Sequence, residues 1–267
     1  MTEQLILEDT PAPHVRRLTL NRPDKRNAIS TPLRTALLEM LWAYDEDPDV
    51  RVTILRGAGP CFSSGYDLTS GSLMQDAPFH SAPGSGQWAR QCNDTYFSMW
   101  DLAKPVIAQV HGYAIAGGTE LASACDLVYV ADDAQISYPV VRVMSPPDWQ
   151  YHTVLLGMRR AMELMLTGDP ITGQEAALIG WANRSYPAED LEAAVLHTAE
   201  RIAGIPSDLT SLNKRSVHRA FDVWGARSAI RAGTEVAALA QHTETSEKMR
   251  EGLLDRVRAQ RPTGGSV

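Results

Sequence analysis

Apolar residues recur along the chain with two different periods. Val50 to Leu55 and Pro105 to Val110 are short, nearly unbroken runs rich in Val and Ile, and Asp126 to Val130 is a third; all read as buried strands. Leu5 to Glu8 and Val15 to Leu20 predict two more strands, with Pro11-Ala-Pro13 as the turn between them. Helical spacing takes over elsewhere. Leu33, Leu37, Leu41 and Tyr44 share one face of a helix that starts with Thr31 as N-cap and Pro32 behind it, and stops near Asp47-Pro48. Trp88 to Leu102 patterns as an amphipathic helix. Ala134 to Arg142 reads as a short extended piece, and Met144 to Trp149 as a sharp turn into a helix around Tyr151 to Leu156.

From about Arg159 helical signals dominate, with one brief extended stretch near Ala182 to Tyr186. Pro187 to Asp190 opens a helix with acids in its first turn, Leu191, Ala194, Val195 and Ile202 on one face, and Gly204 at its end. Leu209 to Phe221 and Ala226 to Ala240 predict two further helices, and Arg261 to Val267 a frayed tail. Strands alternating with helices imply a largely parallel sheet in an α/β fold, with ligands where strand C-termini meet helix N-termini.

Two glycine-containing turns fall at such places. His111-Gly-Tyr-Ala-Ile-Ala-Gly-Gly-Thr-Glu120 joins two of the apolar runs, and Cys61-Phe-Ser-Ser-Gly-Tyr-Asp-Leu68 follows another. Glycine lets a ligand approach bare peptide N–H groups, and a helix starting near Thr119 leaves its first N–H groups without intrahelical partners. Two such donors, at Tyr66 and Gly117, are what an oxyanion hole requires, and a thioester carbonyl turning into an enolate is the fitting occupant. Glu120 then supplies a carboxylate beside them. The alternative is a glycine-rich strand-to-helix turn with Glu120 favouring the helix dipole. No GxSxG elbow and no Gly-Lys-Ser/Thr phosphate loop accompanies the turns.

Composition narrows the partners. At 267 residues, 44% hydrophobic and 21% charged, the chain describes a globular protein with a substantial core. A net charge of −7 without a basic cluster argues against nucleic acid and against anionic membrane surfaces. Cys61, Cys92 and Cys125 are scattered and form no CxxC or Cys/His cluster, which points to a reducing, cytoplasmic setting and away from structural zinc. The acidic, strand-like N-terminus resembles neither a signal nor a transit peptide, and no run approaches a membrane span. Ser70 to Gln87, rich in Gly, Ser and Pro, reads as either a lid over the site or a disordered loop.

Asn21-Arg-Pro-Asp-Lys-Arg-Asn-Ala28, Phe62-Ser-Ser-Gly-Tyr-Asp-Leu68 and His111 to Leu121, with Ala124-Cys-Asp-Leu127 behind them, resemble the signature segments of the crotonase superfamily, typified by enoyl-CoA hydratase. The resemblance covers nearly the whole chain. It implies a crotonase-like core of repeated ββα units over residues 1–200, carrying the CoA and active sites. Residues 201–267 become a C-terminal helical region that trimerises, as a homotrimer or a dimer of trimers. It implies an acyl-CoA substrate, with no cofactor beyond the coenzyme A the substrate carries. The oxyanion donors become the amides of Tyr66 and Gly117. CoA contacts fall to Lys25, Arg26 and Ala28 and to Ser64, Asp67 and Leu68, where the basic side chains suit nucleotide phosphates. Lys25 and Arg26 read otherwise as a solvated loop.

The resemblance also exposes a departure. Hydratases of the family carry two glutamates; Glu120 falls on the first position, but the residue following Pro139, where the second is expected, is Val140. An apolar side chain moves no proton. Asp148, eight residues on, lies where the dienoyl-CoA isomerase and chlorobenzoyl-CoA dehalogenase branches carry an aspartate, so Glu120 with Asp148 is an alternative pair; Asp148 also suits a helix N-cap. His152 and Trp149 are candidate pocket residues, though both fit packing as well. The resulting expectation is an acyl-CoA enzyme of the enoyl-CoA hydratase/isomerase type with Glu120 as acid/base. Isomerisation, or hydrolysis directed by Asp148, is the alternative within the fold. A noncatalytic acyl-CoA scaffold that lost its second acid is the alternative outside it.

Overall fold

Val106–Val110 lies at the centre of the molecule because it has no face to offer water: all five residues are buried, the amide of Gln109 included. The computed structural model of the chain describes residues 4–67, 87–142, 147, 149–240, 243–245, 248 and 252. In it, β1 (Ile6–Ala12), β2 (Val15–Leu20), β3 (Val52–Gly57), β4 (Val106–Val110), β6 (Leu127–Ala131) and β9 (Arg184–Tyr186) form one sheet in the order β1-β2-β3-β4-β6-β9. Only the β1–β2 pair is antiparallel; the others run parallel. A small second sheet joins β5 (Tyr113–Ile115), β7 (Gln135–Ser137) and β8 (Ile171–Thr172). Strand of the large sheet, strand of the small sheet, then helix is the recurring unit, seen most plainly in β4, β5 and α3 (Gly117–Ser123). The mixed α/β architecture and mostly parallel strands follow the expected class.

The helices obey their apolar faces. Leu33, Leu37, Leu41 and Tyr44 are the buried side of α1 (Thr31–Glu46), and α2 (Gln87–Asp101) buries Cys92, Tyr96, Phe97 and Trp100. After α4 (His152–Thr167), interrupted at Gly157 by a φ of 71°, come α5 (Gly173–Leu178) and α6 (Ala188–Ala203). The latter lays Leu191, Val195 and Ala199 on the large sheet. The C-terminal helices α7 (Ser207–Val223) and α8 (Ala226–Ala240) follow, with α8 resting on α2 and α7.

Several local expectations need correction. Pro11 does not turn the chain: β1 continues through it to Ala12, because β1 is a sheet edge where a residue without an N–H is tolerated, and the turn is at Pro13-His14. The cap of α1 is Ser30, whose hydroxyl accepts from the Leu33 N–H, while Thr31 is the first helical residue. Pro139–Arg142 is a short 3-10 turn rather than extended chain, and the helix after Tyr151 runs on to Thr167. β5 and β8 escape the sequence patterns because two or three residues show no period, and the six-residue α5 escapes them too, although it carries a Thr172/Glu175 capping box. The tail from Arg261 lies outside the described residues.

One largely buried ion pair ties α7 to the core. Asp126 accepts the Val106 N–H at 2.8 Å and the Lys214 ammonium at 2.8 Å, and faces His218 Nε2 at 3.0 Å. Lys214 also donates to the carbonyls of Met99 and Lys104, both at 3.1 Å. Removing Lys214 from this largely buried pair leaves Asp126 with the Val106 N–H and His218 but without its full countercharge, at a cost of up to about 3 kcal/mol. Lys214→Met is expected to lower the urea unfolding free energy by about that much; a loss below ~1 kcal/mol would show that α7 is held by apolar contact alone.

Candidate active site

Three loops meet at the C-terminal ends of β2, β3 and β4. The first is latched by Asn27, which is wholly buried and adopts a left-handed φ of 53°. Its amide nitrogen donates to the carbonyls of Ala58 and Cys61, both at 2.8 Å, and its side-chain oxygen accepts from the Arg22 N–H at 3.0 Å. A second tie is the Arg22–Asp67 ion pair at 2.8 Å, with Arg22 also donating to the Ala28 carbonyl at 2.6 Å. Between them the Ile29 N–H donates to the Gly65 carbonyl at 2.8 Å and the Asp67 N–H to the Ile29 carbonyl at 3.0 Å. The cationic loop and the Gly65 turn are therefore one rigid body.

That body presses against the turn before α3. A Cβ on Gly65, whose φ is 94°, would stand 2.8 Å from the Ile115 carbonyl oxygen and 3.1 Å from the Gly117 nitrogen; one on Gly118 would stand 2.5 Å from the Ser63 carbonyl oxygen. Ala116 reaches the helix through φ 50°, ψ −121°, a region costing a non-glycine residue about 1–3 kcal/mol. Its N–H is held by the Ser137 carbonyl at 2.9 Å. The helix starts at Gly117 rather than Thr119, and the Gly117 N–H has no acceptor among the described residues. The Tyr66 and Gly117 turns thus touch.

Glu120 sits one helical turn on, with no exposed surface. The Tyr66 hydroxyl donates to its Oε2 at 2.6 Å, and the Tyr96 hydroxyl lies 3.0 Å from that of Tyr66. Burial, and next the Glu120 charge, push the Tyr96 phenol well above its ordinary pKa. Behind the phenols Arg34, on α1 and 8% exposed, donates to Cys92 Sγ. Sequence patterns place Arg34, Cys92 and Tyr96 on helices and give none of them a part in the site. Their only sequence signal is a cation and a phenol at positions that bury.

The remaining sequence candidates divide. Lys25 and Arg26 are exposed on the latched loop; Ala28 and Ser64 are half-buried, and the Ser64 N–H donates to the Arg26 carbonyl at 2.9 Å. Asp67 is buried, with its carboxylate on Arg22. Leu68, Asp148 and residues 70–86 lie outside the described residues. Val140 is half-buried in the 3-10 turn. Trp149 is fully buried, packing on Tyr96, Phe97 and Trp100 with ring centroids 5.4, 4.5 and 5.2 Å away, so it fills space. His152 is 2% exposed, stacks on Tyr151 at 4.0 Å and pairs its Nδ1 with Gln150 Oε1 at 2.9 Å. Both amide atoms of Asn93, wholly buried on α2, have no partner among the described residues; a ligand or ordered water would satisfy them. His111 and Asp126 make structural hydrogen bonds, to the Gly59 carbonyl and to α7. Among the described residues no three His, Cys, Asp or Glu side chains gather as a metal cage, and no helix is long and apolar enough to cross a membrane.

Comparison with known proteins supplies the context for this geometry. A family profile described as enoyl-CoA hydratase/isomerase matches residues 12–261. The mitochondrial enoyl-CoA hydratase of Pongo abelii is 33% identical over 213 residues, which are 77% of this chain and 69% of that protein. An enoyl-CoA hydratase crystal structure from Mycobacterium smegmatis superposes with a TM-score of 0.84 at 30% identity, covering 96% of this chain and 90% of that one. A monofunctional enoyl-CoA isomerase from the same organism gives 0.66 at 30% identity, over 82% of this chain and 94% of that one.

His152 generates a prediction independent of any reaction. Burial lowers its pKa to about 3, so the fold holds it neutral while the unfolded chain protonates it near 6.5. The stability this confers is complete above pH 6.5 and is lost as pH falls from there towards 3, about 2 kcal/mol of it by pH 5. Urea unfolding at pH 7 and pH 5 should show that loss in the wild type and about 2 kcal/mol less of it in His152→Gln. Equal pH dependence in the two proteins would mean that the imidazole charges without unfolding.

Proposed function

The chain belongs to the enoyl-CoA hydratase/isomerase family, and we propose that its chemistry runs on a single buried carboxylate, Glu120, beside an oxyanion hole made by the amides of Tyr66 and Gly117. Its activity is of the acyl-CoA hydratase/isomerase type. The observation that carries the assignment of roles is the contact between the two glycine turns, which sets the Gly117 N–H, lacking an acceptor among the described residues, one helical turn from Glu120. A thioester oxygen seated there gains its hydrogen bonds as negative charge develops, the condition under which fixed amides lower a barrier most. Lys25 and Arg26, exposed on the neighbouring loop, suit the nucleotide phosphates; Ala28, Ser64 and Leu68 are further proposed CoA contacts, and Asp67 acts through Arg22.

Double-bond migration is the first reading, because Val140 offers no proton where a second glutamate would stand. Glu120 takes the α proton of a 3-enoyl thioester, and the electron pair enters a dienolate held by the two amides. The same carboxyl group returns the proton at the γ carbon as the double bond settles between α and β. No atom enters or leaves, so one base suffices. Hydration is the second reading, favoured by the hydratases among the relatives; it requires another group to share the proton traffic, and Asp148 is the candidate. Hydrolysis directed by Asp148 would appear instead as free CoA.

Incubation with 3-enoyl- and 2-enoyl-CoA esters separates these outcomes: migration leaves the mass unchanged, hydration adds one water, and hydrolysis releases thiol. Glu120→Gln is expected to lower kcat about 10²- to 10⁴-fold, and full turnover by that variant would remove Glu120 from the role. Asp148→Asn should leave migration unchanged and abolish any hydration. Residues 201–267 are proposed as the assembly region, supported by exposed Leu209, Leu212, Val217, Val223 and Trp224 along α7 and just after it. Sedimentation should give three or six copies, and a monomer at micromolar concentration would refute the assignment. Three free, buried cysteines suit the reducing, cytoplasmic setting expected from the sequence.

A further inference from the structure

Tyr66 has a side chain that its backbone role does not require. A tyrosine hydroxyl has one hydrogen to give. If that of Tyr66 goes to Glu120 Oε2, the bond between the two phenols must be donated by Tyr96, and the chain Tyr96, Tyr66, Glu120 points one way, towards the carboxylate. Tyr96 is a neutral donor at any working pH, since burial opposes its ionisation. Arg34 stands behind with its positive charge acting on both phenols, and it forms no ion pair among the described residues. The ring is fixed as well: a Cβ on Gly117 would lie 2.7 Å from Tyr66 Cε2 and 2.8 Å from Cδ2, so the phenol rests against the first residue of the helix that carries Glu120.

We propose that Tyr66 is a positioning residue for Glu120, its phenol holding the carboxylate ionised and aimed, with Tyr96 and Arg34 behind it, in a site where Val140 replaces the second acid. The inference rests on the reading of Glu120 as the group that moves the proton. A wholly buried carboxylate left to itself takes up a proton and ceases to be a base. A charge-assisted bond from a phenol favours the charged form, and at 2.6 Å it has the length of a strong one. Among the described residues the groups facing Glu120 include Tyr66 from the glycine turn, Tyr96 from α2 with Arg34 of α1 behind it, and Tyr151 from the start of α4, whose phenol also feels the Glu120 charge. The Tyr66 hydroxyl reaches the carboxylate directly. One residue would thus give its amide to the substrate oxygen and its phenol to the base, tying the two halves of the site to a common position.

Tyr66→Phe tests this with the loss of one oxygen, keeping both the amide and the ring against Gly117. Without the donor Glu120 ionises less readily, so the acid limb of the kcat/KM profile on an enoyl-CoA ester should move to higher pH by about 1–2 units. The kcat at neutral pH should fall about tenfold, and KM should stay within about twofold. Tyr96→Phe should shift the limb in the same direction by less. A wild-type acid limb and wild-type kcat in Tyr66→Phe would overturn the proposal. Should Tyr66→Phe fail to fold, the limb in Tyr96→Phe decides, and an unmoved limb there counts against it. Glu120→Gln, assayed alongside, separates the two levels: activity retained there refutes the role of Glu120 itself, whereas a dead Glu120→Gln beside an unaltered Tyr66→Phe leaves that role standing and removes only Tyr66.

Discussion

The structure turns on a place where there is no room for a side chain. The Gly65 turn and the Gly117-Gly118 helix start approach until even a methyl on any of the three glycines would meet a neighbour closer than 3.0 Å. That contact joins the loops following β3 and β4, and everything chemical is hung on it. The latch of Asn27 and the Arg22–Asp67 pair stiffen one side, and the Ser137 carbonyl holding Ala116 stiffens the other. Ala116 adopts a backbone conformation that an isolated peptide would avoid, and it stays there because these bonds over-determine it. Packing this tight suits the proposed oxyanion hole: an amide aimed in advance at a developing oxyanion needs no reorganisation when the charge arrives.

The same tightness creates an electrostatic problem. Glu120 has no exposed surface and Arg34 very little, and no ion pair joins them. Buried charges of opposite sign ordinarily find each other directly, because separation leaves each desolvated. Here phenols and a thiol stand between them, so that the carboxylate receives a polarised hydroxyl in place of a guanidinium. A direct Arg–Glu pair would hold the carboxylate ionised more firmly and would also make it a poorer base. On the proposed role of Glu120, separation by hydroxyl groups is the compromise that favours the charged form while leaving it able to take a proton.

The sequence discloses this arrangement unevenly. The apolar runs of β3, β4 and β6 and the stripe of α1 are long enough to show their period, and the helix at Ala226–Ala240 is legible to the residue. Strands of two and three residues carry no period, so β5 and β8, which flank β7 in the small sheet, depend on contacts that no local pattern records, while β7 falls within the extended piece expected from Ala134. Pro11 misleads for a related reason: whether a proline turns a chain or sits in a strand depends on whether that strand is an edge. At the site, glycine spacing locates Gly65 and Gly117 because a close approach leaves few other residues admissible. The partners of Glu120 are invisible because Arg34, Cys92 and Tyr96 are ordinary helical residues whose meaning is given by which face of α1 meets which face of α2.

His152 illustrates the converse. A histidine one turn beyond a candidate acid invites a catalytic role, yet burial against Tyr151 and Tyr138 keeps it neutral, with its hydrogen bond to Gln150. A group whose pKa is lowered to about 3 by desolvation offers little as a base at neutral pH, because it binds protons too weakly to take one from carbon. Glu120 and His152 are buried to almost the same extent and differ in what meets them: Glu120 receives a hydrogen from Tyr66 that favours its charge, while desolvation is the cause acting on His152. Burial alone therefore does not mark a reacting group. Burial together with a donor aimed at the charged form is what the proposed role of Glu120 requires, and the Tyr66 hydroxyl supplies that donor, whereas Asp67, buried too, is committed to Arg22.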